Sequence, residues 1–132
     1  MNLGPWSLKK LERAHPDLAR VVKRAAEVTL QSFVVGETVR SPADQAKRVA
    51  EGKSLTTNSR HLAGKDGYSR AVDLIATENQ KATWDMAAYR RLAAAMFQAA
   101  GELNVPIEWG GNWTKLVDGP HFQLPWKQYP LP

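Results

Sequence analysis

The sequence predicts an α+β fold in a single domain. Apolar residues recur at helical spacing over Leu8 to Val28 and Thr83 to Leu103, with a capped helix start at Ser41 between them. Four short segments, Phe33 to Arg40, Ala71 to Ile75, Ile107 to Trp109 and His121 to Leu124, have strand character. A chain of 132 residues is long enough to bury one core without staples, and it contains no repeat or low-complexity segment.

Taken in order, Leu11, Leu18, Val21, Val22, Ala25 and Val28 lie at helical spacing. Proline lacks an N–H and clashes inside a helix, so His15-Pro16 is expected to break this stretch into a short helix and a longer one, with His15 at the surface. In the first strand Phe33, Val34 and Val35 are apolar on both faces and are candidates for complete burial, and Arg40 lies at the strand end. Ser41 is a good N-cap, Pro42 suits the first helical position, Asp44 sits in the favourable first turn, and Gly52 ends the helix. Lys53 to Asn58 is polar and leads as a loop into Ser59-Arg60-His61, and Gly64-Lys65-Asp66-Gly67 is turn-like.

In the last helix Leu92, Met96, Ala99 and Leu103 form a stripe widened by Tyr89, Ala93 and Phe97, so Met96 and Phe97 are both expected in the core. Asn104 and Pro106 mark the exit. Gly110-Gly111 permits tight turns between Trp109 and Trp113, and either tryptophan could wall a substrate groove. The tail from Pro125 to Pro132 carries Trp126, Tyr129 and three prolines, and is expected to lie against the body without forming a helix.

With no cysteine, neither a disulfide framework nor a thiolate metal site is possible, and any metal must take histidine and carboxylate ligands. Strand alternation puts Asp73 on a face with Ala71 and Ile75, and His121 on a face with Gln123, while Val72, Leu74, Phe122 and Leu124 point to the core. His61, Asp73 and His121 can therefore converge on one divalent ion. A catalytic zinc takes three such ligands and keeps a place for water, whose pKa it lowers. A further carboxylate beside the ion is then needed to move protons, and Asp118 and Glu108 are the candidates. Similar donor sets also accommodate cobalt, nickel or manganese.

Ser59-x-His61, Ala71-x-Asp73 and the C-terminal Asp118-x-x-His121 together resemble the VanY/VanX-like (M15) zinc peptidases, and especially the small phage and bacterial endolysins that cut peptidoglycan stem peptides. The similarity runs from the first helical region to Leu124. It implies a small, mostly antiparallel sheet packed against helices, of the Hedgehog/D-Ala-D-Ala peptidase type, with 1–132 as one peptidase domain. It also implies one zinc ion held by His61, Asp73 and His121, Asp118 as catalytic base, and Arg40 as stabiliser of the anionic intermediate or of a substrate carboxylate. Ser59, Trp109 and Trp113 are the candidate substrate contacts. The chain departs from the family's compact spacing at Lys65 to Ser69, an insertion expected at the cleft rim that leaves Asp66 as a rival ligand.

The implied reaction is hydrolysis of a stem-peptide bond, L-alanyl-D-glutamate in the small endolysins. D-Ala-D-Ala carboxypeptidase or dipeptidase activity, or a non-catalytic metal-containing wall-binding module, are the alternatives. The formal charge of +5 favours an anionic partner. The basic residues are scattered without a nucleic-acid-binding motif, which leaves peptidoglycan as the expected partner and a specific nucleic acid as the poorer one. Met1 to Lys10 lacks the apolar core of a secretory signal and no segment has the length of a membrane span, so the expected place is the host cytoplasm until release to the wall. The resemblance implies holin-assisted access, and a monomer is the default.

Overall fold

The computed structural model describes residues 1–131; Pro132, the end of the predicted tail, lies outside the described residues. Helices α1 (Pro5–Leu11) and α2 (Pro16–Val28) are separated where His15-Pro16 predicts a break. Both begin with proline in the first turn, where its missing N–H costs nothing. His15 is not a free surface residue. It is the half-buried N-cap of α2, its Nδ1 accepting from the Asp17 N–H at 3.1 Å, with its ring edge-on to Tyr129.

Strand β1 (Phe33–Glu37) leads to α3 (Pro42–Ala50), whose Ser41 cap accepts from the Asp44 N–H at 3.1 Å as predicted. Strand β2 (Ala71–Glu78) then turns tightly into β3 (Lys81–Ala82), an extension and hairpin absent from the sequence reading. Asn79 and Gln80 take φ of 52° and 65° in that turn, a pair of left-handed residues that is easy to recognise as Asn-Gly but not as Asn-Gln. Helix α4 (Met86–Leu103) is capped by Asp85 and ends at Asn104 in the left-handed region. Strands β4 (Glu108–Trp109) and β5 (His121–Gln123) complete a sheet of order β1-β2-β5-β4, with β3 on β2 and every strand pair antiparallel.

The two faces of β2 divide the molecule. Val72, Leu74 and Ala76 are fully buried against the helical side, where α2 and α4 pack together and Phe33, Val35, Leu92, Met96 and Phe122 join them. Asp73 and Ile75, on the other face, look into a cleft. Two apolar expectations fail at the margins of this core. Val34 is 45 % exposed because it shares the cleft-side face with Ile75, so the β alternation holds where an all-buried strand was expected. Phe97 is 41 % exposed, one position around α4 from fully buried Met96 and outside the stripe.

Tyr89 ties α4 to the sheet. Its ring is buried, its hydroxyl donates to Thr83 O at 2.8 Å, and it accepts from the Ala76 N–H at 3.2 Å. Replacement Tyr89→Phe leaves that buried strand N–H without a partner. We expect a loss of about 1–3 kcal/mol in folding stability, read as a lower urea midpoint with unchanged slope.

Candidate active site

The antiparallel register of β2 and β5 places Asp73 directly opposite His121. His61 arrives from the loop before β2, where its N–H donates to Ser59 Oγ at 3.1 Å and its carbonyl accepts from the Arg40 N–H at 2.9 Å. Asp73 Oδ1 lies 3.1 Å from His61 Nε2 and 3.4 Å from His121 Nδ1, and one ligand atom from each of the three residues lies within 4.8 Å of the others. The outer nitrogen of each ring is occupied: His61 Nδ1 donates to Thr38 O at 2.8 Å, and His121 Nε2 meets Gln123 Oε1 at 2.7 Å. The inner nitrogens and the Asp73 carboxylate thus face one point, an arrangement that fits a divalent cation.

Burial opposes ionisation of Asp73, but hydrogen bonds from His121 and His61 and their charges outweigh it and hold the carboxyl well below the usual range. Burial also disfavours a charged His121, yet Asp73 more than compensates and raises it. The group is a half-buried carboxylate facing two imidazoles and the Arg40 guanidinium, a polar pattern that a metal ion also satisfies.

Asp118 lines the same cleft, a cavity of about 410 Å³ that also receives Arg40 and Trp113. Its backbone N–H donates to Gly110 O at 3.0 Å and its carbonyl accepts from the His121 N–H at 3.2 Å, so the carboxylate and the histidine sit on one short turn. Burial pushes the Asp118 carboxyl up, and the nearby Asp73 charge adds to the rise. Gly110 makes this approach possible, because a Cβ there would meet the Asp118 carbonyl and lie 3.1 Å from the Cβ atoms of Asp118 and His121.

Arg40 reaches the cleft through a bulge. β1 pairs in one register up to Val35 and is shifted by one residue at Glu37, which then stands opposite Asp73. Glu37 takes the Arg40 guanidinium at 2.6 and 3.2 Å, and Gln45 Oε1 accepts from Nη1 at 2.7 Å. The guanidinium is left 3.9 Å from Asp73 Oδ2. Glu37 and Gln45 are missing from the sequence reading. Gln45 looks like any helical surface residue, but it is fully buried and also donates to Thr56 O, joining Arg40 to the loop that carries His61.

The remaining expectations divide. Trp113 is 4.9 Å centroid to centroid from His121 and walls the cleft. Trp109 does not line a groove: it stacks on Phe122 in the core and its indole N–H donates to Gly119 O at 2.7 Å. Ser59 lines the cleft while its hydroxyl holds the His61 backbone. Glu108 is engaged by Gln123 rather than facing the cleft. Asp66 is no rival ligand, because its carboxylate forms a fork with Arg70 at 2.8 and 2.7 Å. The insertion lies away from the cleft rim as well. Ser69 bonds the backbone of Arg13 and His15, and Tyr68 packs by the α1–α2 junction.

Comparison with known proteins identifies the family. A family model described as phage L-alanyl-D-glutamate peptidase matches residues 1–124. The chain belongs to that family. It is 30 % identical over 119 residues to the L-alanyl-D-glutamate peptidase of Escherichia phage T5, covering 87 % of this chain and 83 % of that protein. It is 34 % identical over 96 residues to the L-alanyl-D-glutamate peptidase of Listeria phage A118, a match covering 73 % of this chain but only 31 % of that longer relative. Among solved structures, the Serratia marcescens L-Ala D-Glu endopeptidase ChiX superposes with a TM-score of 0.89 at 39 % identity, covering 98 % of this chain and 94 % of that one. The expected fold is thereby shown for this family member: a small antiparallel sheet packed against four helices.

The Asp66–Arg70 fork generates a pH prediction. Arg70 holds the Asp66 carboxyl down at about 2, against an ordinary value near 3.8. A depressed folded-state pKa contributes stability that is complete above the unfolded value and lost as pH falls through the folded one. Chemical denaturation between pH 5 and 2, values chosen to bracket about 3.9 for a free Asp, is therefore expected to show a shallower acid loss for Asp66→Asn than for wild type.

Proposed function

We propose that this chain is a zinc-dependent endopeptidase that hydrolyses the L-alanyl-D-glutamate bond of peptidoglycan stem peptides, with residues 1–132 acting as one catalytic domain. The observation that carries the reading is the meeting of His61, Asp73 and His121 at the floor of a cleft that also holds Asp118. The names of the phage and Serratia relatives supply the substrate. Zinc suits two imidazoles and a carboxylate, and when bound it supplies Lewis acidity for the scissile carbonyl and for water.

The protein's own groups divide the rest of the reaction. Asp118 takes a proton from the attacking water and delivers it to the departing D-glutamate amine. Its raised pKa strengthens it as a base. Arg40, oriented by Glu37 and Gln45, offers charge to the oxygen that becomes anionic as the carbonyl carbon turns tetrahedral. Trp113 walls the substrate path beside His121. Collapse of the tetrahedral carbon breaks the C–N bond, leaving an alanine carboxylate and a free amine on D-glutamate.

The cationic balance of +5 suits the anionic wall. Among the described residues no helix is long and apolar enough to cross a membrane. A monomer reaching the wall from the host cytoplasm through a holin-type pore completes the proposal.

Two experiments test it. Purified peptidoglycan digested by the protein is expected to yield, by mass spectrometry, fragments with new N-terminal D-glutamate and C-terminal L-alanine; release of free D-alanine alone overturns the endopeptidase assignment. Asp118→Asn is expected to lower turnover by about 10²–10⁴-fold while one zinc per chain is retained, and unchanged turnover removes Asp118 from the mechanism.

A further inference from the structure

Two residues with no role in the chemistry above, Gln123 and Glu108, are placed to control which nitrogen of His121 is free. His121 and Gln123 are two apart on β5 and share a face, and β4 sets Glu108 directly opposite Gln123. The contacts form a chain: His121 Nε2 lies 2.7 Å from Gln123 Oε1, and Gln123 Nε2 donates to Glu108 Oε1 at 3.1 Å.

The polarity of this chain has one direction. A carboxylate only accepts hydrogen bonds, so Glu108 turns the Gln123 amide with its NH₂ outward and its oxygen towards the ring. An amide oxygen also only accepts, so His121 Nε2 must carry hydrogen. In the neutral ring, the form that binds a metal ion, the lone pair is then on Nδ1, the nitrogen that lies 3.4 Å from Asp73.

His61 reaches the same end by a simpler route, since its outer nitrogen faces the backbone carbonyl of Thr38, which cannot turn round. An amide can turn round, and presents either an acceptor or a donor with nearly the same shape. Gln123 therefore needs a second group to fix it.

We propose that Glu108 and Gln123 form a polarity relay that locks His121 in the tautomer offering Nδ1 to a divalent cation, with both acting as positioning residues. The inference rests on the reading of His121 as a metal ligand given under Proposed function.

The test measures Zn²⁺ affinity by chelator competition, using the full chain and zinc alone. Glu108→Gln places an amide beside Gln123, which is then free to flip and present NH₂ to His121. Its affinity is expected to fall about 10-fold, the lower end of the 10–100-fold range for groups supporting metal-bound histidines. Glu108→Gln combined with Gln123→Glu exchanges amide and carboxylate, puts an acceptor back against Nε2, and is expected to restore wild-type affinity. Glu108 is exposed, so the single variant keeps the fold, and thermal unfolding in chelator checks both proteins.

Rescue by the exchange is not expected of a merely structural contact. Wild-type affinity in Glu108→Gln, or no rescue in a double variant that unfolds at the wild-type temperature, overturns the relay. His121→Ala separates the two readings. If it loses zinc while Glu108→Gln does not, the ligand stands and the relay falls. If it binds zinc as tightly as wild type, His121 is not a ligand and the relay falls with it.

Discussion

The candidate site depends on strand register. Asp73 and His121 face one another only because β5 pairs with β2 in a single alignment, Val72 with Phe122 and Asp73 with His121. A slip of one residue would turn every side chain of β5 to the opposite face, sending Phe122 into the cleft and His121 into the apolar core. Phe122, Val72 and Leu74 are completely buried, so the hydrophobic effect that drives them inward also fixes the polar pairing on the other side. β5 is only three residues long, and its few backbone bonds alone would specify the alignment weakly. The core side of the strand supplies the missing specificity.

Two backbone irregularities adapt this regular sheet to chemistry. At Gly36 the shift between β1 and β2 brings Glu37 onto the Asp73 face, and Glu37 in turn aims Arg40. A Cβ at Gly36 would lie 2.9 Å from Ile75 Cγ1, so the close approach of the two strands favours glycine there. At Gly110 the chain passes so near Asp118 and His121 that no side chain fits. The scaffold therefore presents the Asp118 carboxylate, the Arg40 guanidinium and three metal-type donors to one cleft without distorting the strands that hold the core. The anionic side chains also gain partners: Asp73 has two histidines and Arg40 nearby, and Glu37 has Arg40 and Arg48. Half-buried carboxylates of this kind are tolerated because they are paired.

Much of this was legible in the sequence where a local rule decides the outcome. The Ser41-Pro42 cap, the break at Pro16, the exit at Asn104 and the alternation through Val72-Asp73-Leu74 each follow from one residue's chemistry or from period two. The convergence of His61, Asp73 and His121 also followed, from motif order and strand parity together. What escaped was set by tertiary contact. No local rule places Gln45, Arg60 or Arg70 in the interior, yet all three are buried: Arg60 bonds the distant Leu124 carbonyl, Gln45 accepts from Arg40, and Arg70 bonds Asp66. Trp109 shows the converse: its position beside the glycine turn is compatible with a groove or with packing, and only the pairing of β4 with β5, opposite Phe122, puts it in the core. Gln123 was flagged by parity as sharing the His121 face, but the need for an acceptor there became visible only with Glu108 across the ladder.

The loop after Gly64 shows how two ligand candidates separated by a long excursion of chain are held together. His61 and Asp73 flank the extra residues, so an unpinned loop would let them drift apart. The backbone closes the excursion at its base: Arg70 N–H donates to Arg60 O at 2.8 Å, and Leu124 N–H donates to Arg70 O at 2.8 Å, carrying the same strand line into β5. The Arg60 side chain then binds the carbonyls of Leu124, Pro125 and Tyr129 and stacks over Trp126, fixing the residue beside His61 to the tail. Burial and the neighbouring Arg70 lower its pKa to about 10, a measure of how far the guanidinium has been withdrawn from water to make these bonds. Beyond this base, Ser69 is bonded to the backbone of Arg13 and His15, and the Asp66–Arg70 fork and the Gly67 N–H to Gly64 O bond close the turn itself. Loop length is thermodynamically cheap once the ends are held, so the path from His61 to Asp73 can make this excursion while the three donors stay together.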